Sequence, residues 1–543
     1  MSLLRHASTV VSLTLLSRVL GFARDAAVAA LFGTGAVADA SVAGLAIPQL
    51  ARRLLGEGAL NAAILPRLPA ASSPPAPSAA THPATLGTVA PEPAPASASL
   101  PAVATAAPPS STPPSPPSGA FAGALLLAFT VAAGLLAAGL ALFMPQVAAL
   151  LAPGFLDDPA RAGGAVLAGR IAMFALPLAA CAGVLAALVN AAGRVTRPAF
   201  APAVGNLAVL AVIGLFALLH VGGSEGFGAR ALVFLAVATL AGALAQLLVI
   251  GAALPYRPAT LVPNRAALKA ALPVLLAAGP TLFAAALPQL RILVANASAS
   301  GLDGGVSALF YATRLVELPL GLVGASAGAV LLPALAVRGR PENLTGHALV
   351  AALALTAPAA MGLALLAEPI VRVLFQRGAF DAQATALTVT ALAMLAASLP
   401  LQAMERILST AAFAQGLGRL VTRVSLAALV AGGGIGFAAA GPLGLAGPAL
   451  GVVVSSVVAL IGLWGGLARA GLLRLDGGEW RRLAACLAAT LVMALPVGLS
   501  AHFLAAPLAA GGLSGALVLG GVVLAGVVAY GLAAGGLGLL PRR

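Results

Sequence analysis

Charged side chains are scarce in this chain of 543 residues: only 8% are Asp, Glu, Lys or Arg, while 61% are hydrophobic. A soluble globular domain is roughly 45–50% apolar and about 25% charged, so a water-solvated domain is excluded. Lysine is nearly missing, Lys269 being the only one. Cysteine is limited to Cys181 and Cys486, both inside apolar runs, which reads them as small hydrophobes and excludes a disulfide framework. The five histidines, His6, His82, His220, His347 and His502, are scattered. A polytopic glycosyltransferase or phosphatase needs acids or histidines clustered for a metal or a general base, so an enzyme, a metal site and a cofactor are not expected. The alternation of polar and apolar residues that marks a membrane β-barrel is also missing.

What fills the chain instead is a series of apolar stretches of roughly 20 residues, the length an α-helix needs to cross a bilayer. Mean hydropathy is +1.06. The pattern predicts an all-α polytopic membrane protein with about fourteen spans. Two precede residue 68, and four follow at about 120–148, 164–191, 199–220 and 230–254. Six more lie at about 268–297, 304–335, 344–373, 382–414, 422–440 and 445–468, and the last two at 482–504 and 512–538. The N-terminal stretch after Arg5 imitates a signal peptide, but it carries Arg18, Arg24 and Asp25 and leads into a second span, so it reads as a retained first helix.

The formal net charge of +14 has a topological explanation rather than a nucleic-acid partner. Arg67, then Arg194 and Arg197, then Arg257, Arg265 and Lys269 fall in alternate loops. Arg338 and Arg340, Arg419 and Arg423, and Arg469, Arg474, Arg481 and Arg482 continue the series, with Arg542 and Arg543 at the end. By the positive-inside rule these loops and both termini are cytoplasmic.

Residues 69–119 differ in kind, being almost wholly Pro, Ala, Ser and Thr with Glu92 the only charge. Such a composition cannot bury enough surface to offset ordering entropy, so a disordered cytoplasmic linker is expected. The basic turn in NAAGRVTRPAFAPAVGN (Asn190 to Asn206) is echoed about 225 residues later by QGLGRLVTR (Gln415 to Arg423). That hint of duplication divides the chain into two helices at 1–68, the linker, four helices at 120–254, a second six-helix lobe at 255–470, and two further helices at 471–543. Repeats of this kind place a transport path at their interface.

The first two spans carry charges that do not belong in lipid: Arg18, Arg24 and Asp25, then Asp39, Arg52, Arg53 and Glu57. Each charge at the bilayer centre costs about 2.5–3.5 kcal/mol on insertion scales, so they are expected to face a hydrated cavity or one another. Arg18 and Asp25 are seven apart and share a face, and Arg53 and Glu57 form an i,i+4 pair. A second cluster follows in the span 304–335, where Arg314 and Glu317 come after Ser307, and Arg291 is a further arginine in the preceding span. Several inward arginines offer a bidentate grip on phosphate or carboxylate oxygens.

These segments carry a family resemblance. SRVLGFARDAAVAALFGTGAVADA (Ser17 to Ala40) and IPQLARRLLGEGALNAAILP (Ile47 to Pro66) closely resemble the signature of the MurJ/MviN family. LLAPGF (Leu150 to Phe155), NAAGRVTRPAFAP (Asn190 to Pro202), YATRLVELPLGLVG (Tyr311 to Gly324) and VLFQRGAFDA (Val373 to Ala382) match in the family's order. The resemblance implies the MOP exporter fold, with two six-helix lobes around a central cavity and two extra C-terminal helices. It also implies an inner-membrane flippase that moves lipid II, the undecaprenyl-pyrophosphate-linked peptidoglycan precursor, to the periplasmic leaflet by alternating access. Peptidoglycan-synthesis enzymes and membrane lipids are the partners it suggests. The family's cavity arginines match Arg18, Arg24, Arg52 and Arg314, and the motifs also cover Asp25, Asp39, Glu57, Ser307 and Glu317. An exporter of another lipid-linked oligosaccharide, or of drugs, is the alternative.

The chain departs from the family at Thr313, where an acid is usual, and at Phe413 to Arg423, where the FYA-x-x-D-T-x-T-P pattern has become FAQGLGRLVTR. Only Asn296 stands near a C-lobe sodium site of the kind some members have, so coupling to membrane potential rather than sodium is expected. The linker is longer than the family's usual loop and joins helices expected to be neighbours. Replacing residues 69–119 with a shorter Gly/Ser linker should preserve membrane levels and transport; loss of transport at normal levels would show that the segment recruits something.

Overall fold

The computed structural model describes residues 2–56, 60, 64, 118–219, 227–326 and 344–539. The expected linker lies outside them, as do Glu57, Arg67, Arg338 and Arg340. Among the described residues the regular structure is entirely helical. In chain order the first group is α1 (Ser2–Phe32), α2 (Ala36–Gly44), α3 (Ala46–Gly56), α4 (Gly119–Leu142), α5 (Met144–Leu151), α6 (Pro159–Ala172), α7 (Ala175–Ala191), α8 (Thr196–Leu219) and α9 (Phe227–Gly251). The second is α10 (Arg265–Ala299), α11 (Gly305–Ser326), α12 (Leu344–Leu365), α13 (Ala367–Phe375), α14 (Ala382–Ala396), α15 (Ser398–Ala414), α16 (Gly418–Leu443) and α17 (Ala446–Arg469). The chain ends with α18 (Gly477–Phe503), α19 (Ala505–Ala509) and α20 (Gly512–Gly536).

Nine described helices are long and apolar enough to cross a bilayer, and two further spans are the bent pairs α6–α7 (41°) and α14–α15 (44°). The remaining three expected spans, α1, α2–α3 and α11, are the ones loaded with charge. Their charged side chains, Arg18, Arg24 and Asp25 on α1, Arg52 and Arg53 on α3, and Arg314 and Glu317 on α11, line a cavity between the helices.

Several spans that periodicity predicts as continuous are broken, and the breaks share a cause. The turns at Leu45, Phe174, Leu366, Ala397 and Leu504 each stand three residues before a proline: Pro48, Pro177, Pro369, Pro400 and Pro507. Proline has no N–H for the carbonyl four residues back, and its ring clashes with that carbonyl. The helix therefore parts just upstream and restarts with the proline in its first turn.

The helices form two lobes with two appended C-terminal helices. In the N-lobe, α8 packs on α9 and α1, and α2 on α6; in the C-lobe, α16 packs on α17, and α12 on α15. Helix α18 lies against α12 and α20. The largest core joins Leu309, Tyr311, Leu315, Phe375, Phe380, Leu392 and Leu408 inside the C-lobe.

Arg291 is placed in that lobe's interior rather than among the cavity arginines. Its Nη1 and Nη2 donate to Glu405 Oε2 and Oε1 at 3.0 and 2.9 Å, and Nη1 also donates to Ser456 at 3.1 Å. Both ends of the ion pair are 7% exposed. This is a bidentate pair between α10 and α15, completed by α17, in which each charge neutralises the other.

Candidate functional site

Between the lobes lies a cavity of about 660 Å³, lined from the N-lobe by α1, α3 and α8 and from the C-lobe by α10, α11 and α15. At one end it reaches Asn190, Val195 and Pro198, beside the basic turn of Arg194 and Arg197. Six arginines and two carboxylates line it.

The carboxylates are each shared between lobes or helices. Arg24 donates through Nε and Nη2 to Asp25 Oδ1 at 2.9 and 2.7 Å. The other oxygen of Asp25 faces Nε of Arg314, across the cavity on α11, in an ion-pair contact at 3.0 Å. Arg314 then donates through Nη1 to Glu317 Oε2 at 2.8 Å, and its guanidinium carbon stands 4.5 Å from the Phe310 ring centroid. Glu317 in turn accepts from Arg53 Nη1 and Nη2 at 2.8 and 3.2 Å, and Arg53 also reaches Gln289 at 2.9 Å. The result is a relay, Arg24–Asp25–Arg314–Glu317–Arg53, that crosses from N-lobe to C-lobe and back.

One pairing expected from spacing is corrected by this relay, and the other lies partly outside the described residues. Asp25 engages Arg24 and Arg314 rather than Arg18, because α1 presents its carboxylate to α11 while Arg18 lies nearly two turns away. Arg53 engages Glu317, its Glu57 partner lying outside the described residues. Arg18 and Arg52 also line the cavity. Asn206, Gln289 and Arg406 complete the polar lining and were not singled out from sequence. Asn206 fixes the first helix: it accepts from Arg24 Nη1 at 3.1 Å and donates to the Ser17 carbonyl at 3.0 Å. Gly21 makes that approach possible, since a Cβ there would stand 3.2 Å from the Asn206 amide nitrogen.

Asp39 and Ser307 do not line the cavity; they bond one another at the end away from the basic turn. Asp39 is fully buried and accepts from the Ser307 amide and hydroxyl at 2.9 and 2.6 Å and from the Gly304 amide at 3.1 Å. It thereby caps the N-terminus of α11 from the opposite lobe, where the helix dipole favours a carboxylate. Arg161 stands 3.6 Å from Asp39 and donates to Asp158 at 2.7 Å. Hydrogen bonds from the amide and guanidinium of Arg161 hold the exposed Asp158 carboxyl below its usual range.

The motifs around this end close on one another through backbone. Ala379 donates to the Ala30 carbonyl at 2.8 Å, Tyr311 donates to the Gly33 carbonyl at 3.2 Å, and Gly154 donates to Ser300 at 2.8 Å. Gly33 and Gly378 take φ of +57° and +60°, and a Cβ on either would overlap the backbone of the other segment. Only glycine combines that φ with that approach.

A two-lobed helical bundle with an interlobe cavity, lined by charge and closed at one end by contacts between the lobes, is an architecture shared with solved membrane transporters. Among solved structures, "Lipid II flippase MurJ, inward closed conformation" superposes with a TM-score of 0.73 at 18% identity, covering 97% of both chains. An inward-facing multidrug-resistance MATE transporter of the MOP superfamily gives 0.56 at 19% identity, over 86% of this chain and 98% of that one. Residues 115–520 match the family described as lipid II flippase MurJ. Probable lipid II flippase MurJ of Rhizobium meliloti is 31% identical over 416 residues, 74% of this chain and 68% of that protein. Lipid II flippase MurJ of Burkholderia cenocepacia is 27% identical over 513 residues, 91% of this chain and 89% of that one. The chain belongs to the lipid II flippase MurJ family.

The Asp39 contacts join the two lobes at this end. Asp39→Ala should raise the maleimide labelling rate of a cysteine introduced at Ser300 in purified protein, with both native cysteines replaced. An unchanged rate would show that Asp39 does not hold this end shut.

Proposed function

We propose that this chain carries lipid II from the cytoplasmic to the periplasmic leaflet of the bacterial inner membrane by alternating access. The observation that carries the reading is the charge of the cavity: six arginines against two carboxylates, in a space sealed at the end away from the basic loops. The positive-inside rule puts those basic loops and both termini in the cytoplasm. In this orientation the cavity receives a head group from the cytoplasmic leaflet, where peptidoglycan-synthesis enzymes deliver it, while the lipid tail stays in the bilayer. Arg18, Arg24, Arg52 and Arg314 bind the diphosphate-bearing head group, and Asp25 and Glu317 hold two of them in place. Asp39 and Ser307 act at the far gate. Because Arg314 and Asp25 belong to opposite lobes, a phosphate that takes over the guanidinium loosens the interlobe pair. Substrate binding thereby weakens one contact that holds the inward state. A cationic drug as cargo is disfavoured by the same net positive charge.

The test is rescue of a strain depleted of its own flippase. Arg24→Ala, Arg52→Ala and Arg314→Ala should be inserted at normal levels and fail to rescue, and the lysine variants should rescue in part, because lysine keeps the charge but loses the bidentate fork. Full rescue by Arg52→Ala and Arg314→Ala overturns the assignment.

We infer further that transport runs on membrane potential without sodium. The one buried carboxylate described within α10–α17, Glu405, is already neutralised by Arg291. Removing sodium from water without a free carboxylate nearby is hard to offset. Lipid II exposure on the outer leaflet should persist when sodium is replaced by choline and fall when the potential is collapsed; arrest on sodium removal alone would refute this.

A further inference from the structure

The cavity's two carboxylates are both committed to the relay, Asp25 to Arg24 and Arg314, Glu317 to Arg314 and Arg53. Arg18 and Arg406 stand apart from it. Both are exposed within the cavity lining, and among the described residues neither side chain makes a hydrogen bond or an ion pair. Arg406 follows Glu405 on α15. Consecutive helical residues point about 100° apart, so one step along the chain places the acid inside the C-lobe, against Arg291, and the base in the cavity. Arg18 reaches across from α1 to the C-lobe wall, where its guanidinium rests against the backbone of Gly321 on α11. A Cβ on Gly321 would overlap the guanidinium carbon and both terminal nitrogens. Arg406 stands within electrostatic reach of Glu317, Glu405, Arg18 and Arg53.

Two guanidinium groups brought to one cavity by separate helices, neither of them in an ion pair among the described residues, keep their donors open for an oxyanion. Arginine's planar fork suits an oxyanion with two accessible oxygens. We propose that Arg18 and Arg406 form a second oxyanion subsite on the C-lobe wall of the cavity, with Gly321 as the gap that seats Arg18. The inference rests on the cavity being the path of a lipid-linked diphosphate. The subsite takes an oxyanion that the Arg24–Arg314 relay does not hold, either the second phosphate or a carboxylate of the peptide stem. Its place beside the relay makes recognition two-pointed. A head group must bridge both sites, so a ligand with one anionic group is held less tightly than one with two.

The test measures binding to the purified full-length protein in nanodiscs with three probes: lipid II, the same lipid-linked disaccharide without peptide, and undecaprenyl diphosphate. Arg406→Ala should weaken lipid II binding about ten- to hundredfold, the loss expected for one charge-assisted contact. Arg406→Lys should recover part of it, and Gly321→Ala should reproduce the loss by displacing Arg18. Because Arg406 is exposed and makes no contact that folding needs, its alanine variant should match the parent's melting temperature. A loss seen with all three probes identifies a phosphate as the anion, and a loss confined to the peptide-bearing probe identifies a carboxylate. Normal lipid II binding by Arg406→Ala, alongside weakened binding by Arg24→Ala, overturns the subsite and leaves the cavity reading intact. Unchanged binding in both variants overturns both.

Discussion

Asp25 is held between two guanidinium groups that come from opposite lobes, Arg24 on its own helix and Arg314 on α11. In a membrane interior neither charge would be stable alone, since each faces the desolvation cost of its own burial. Together they are tolerated, and the condition for tolerance is that the lobes stay together at this point. Fold and function share that constraint. The ion pair that lets the first helix exist in the bilayer is also, under the proposed function, the contact that an incoming phosphate would compete for.

Around that pair the molecule sorts its polar contacts by end. Toward the basic loops are guanidinium groups with capacity left for a ligand. Toward the other end are contacts already satisfied: Asp39 on the N-terminus of α11, and glycine-mediated backbone contact between the Gly33 and Gly378 turns. The positive-φ glycines let these two backbones approach more closely than any side chain would allow. An interface of that kind supports two states better than a continuum.

The C-lobe solves its charge problem differently. Arg291 and Glu405 neutralise each other in the interior at 7% exposure, with Ser456 satisfying a third hydrogen bond. Such a pair adds little net stability but is costly to break on one side. It leaves that lobe's interior without a carboxylate to offer an ion, and it fixes the face of α15 so that Arg406 points to the cavity.

Much of this was legible in the chain itself. Apolar runs of bilayer length determine that the protein spans a membrane as helices, because backbone groups in lipid must bond within their own segment. Charges inside those runs require a hydrated cavity or pairing with one another, because lipid will not solvate them. The helix breaks stand three residues ahead of Pro48, Pro177, Pro369, Pro400 and Pro507, but Pro202, Pro273, Pro280 and Pro288 sit inside unbroken helices, so proline alone did not say which spans part. Partner choice was not legible. Helical spacing put Arg18 with Asp25, since it sees only neighbours on one helix, while Asp25 and Glu317 are engaged by side chains up to 289 and 264 positions away. It also grouped Arg291 with the cavity and passed over Arg406, because an arginine's sequence context says nothing about which side of a packed lobe its helix turns. Composition set how many charges had to be kept from lipid; only the packing of the two lobes decided which of them cancel and which remain free for a ligand.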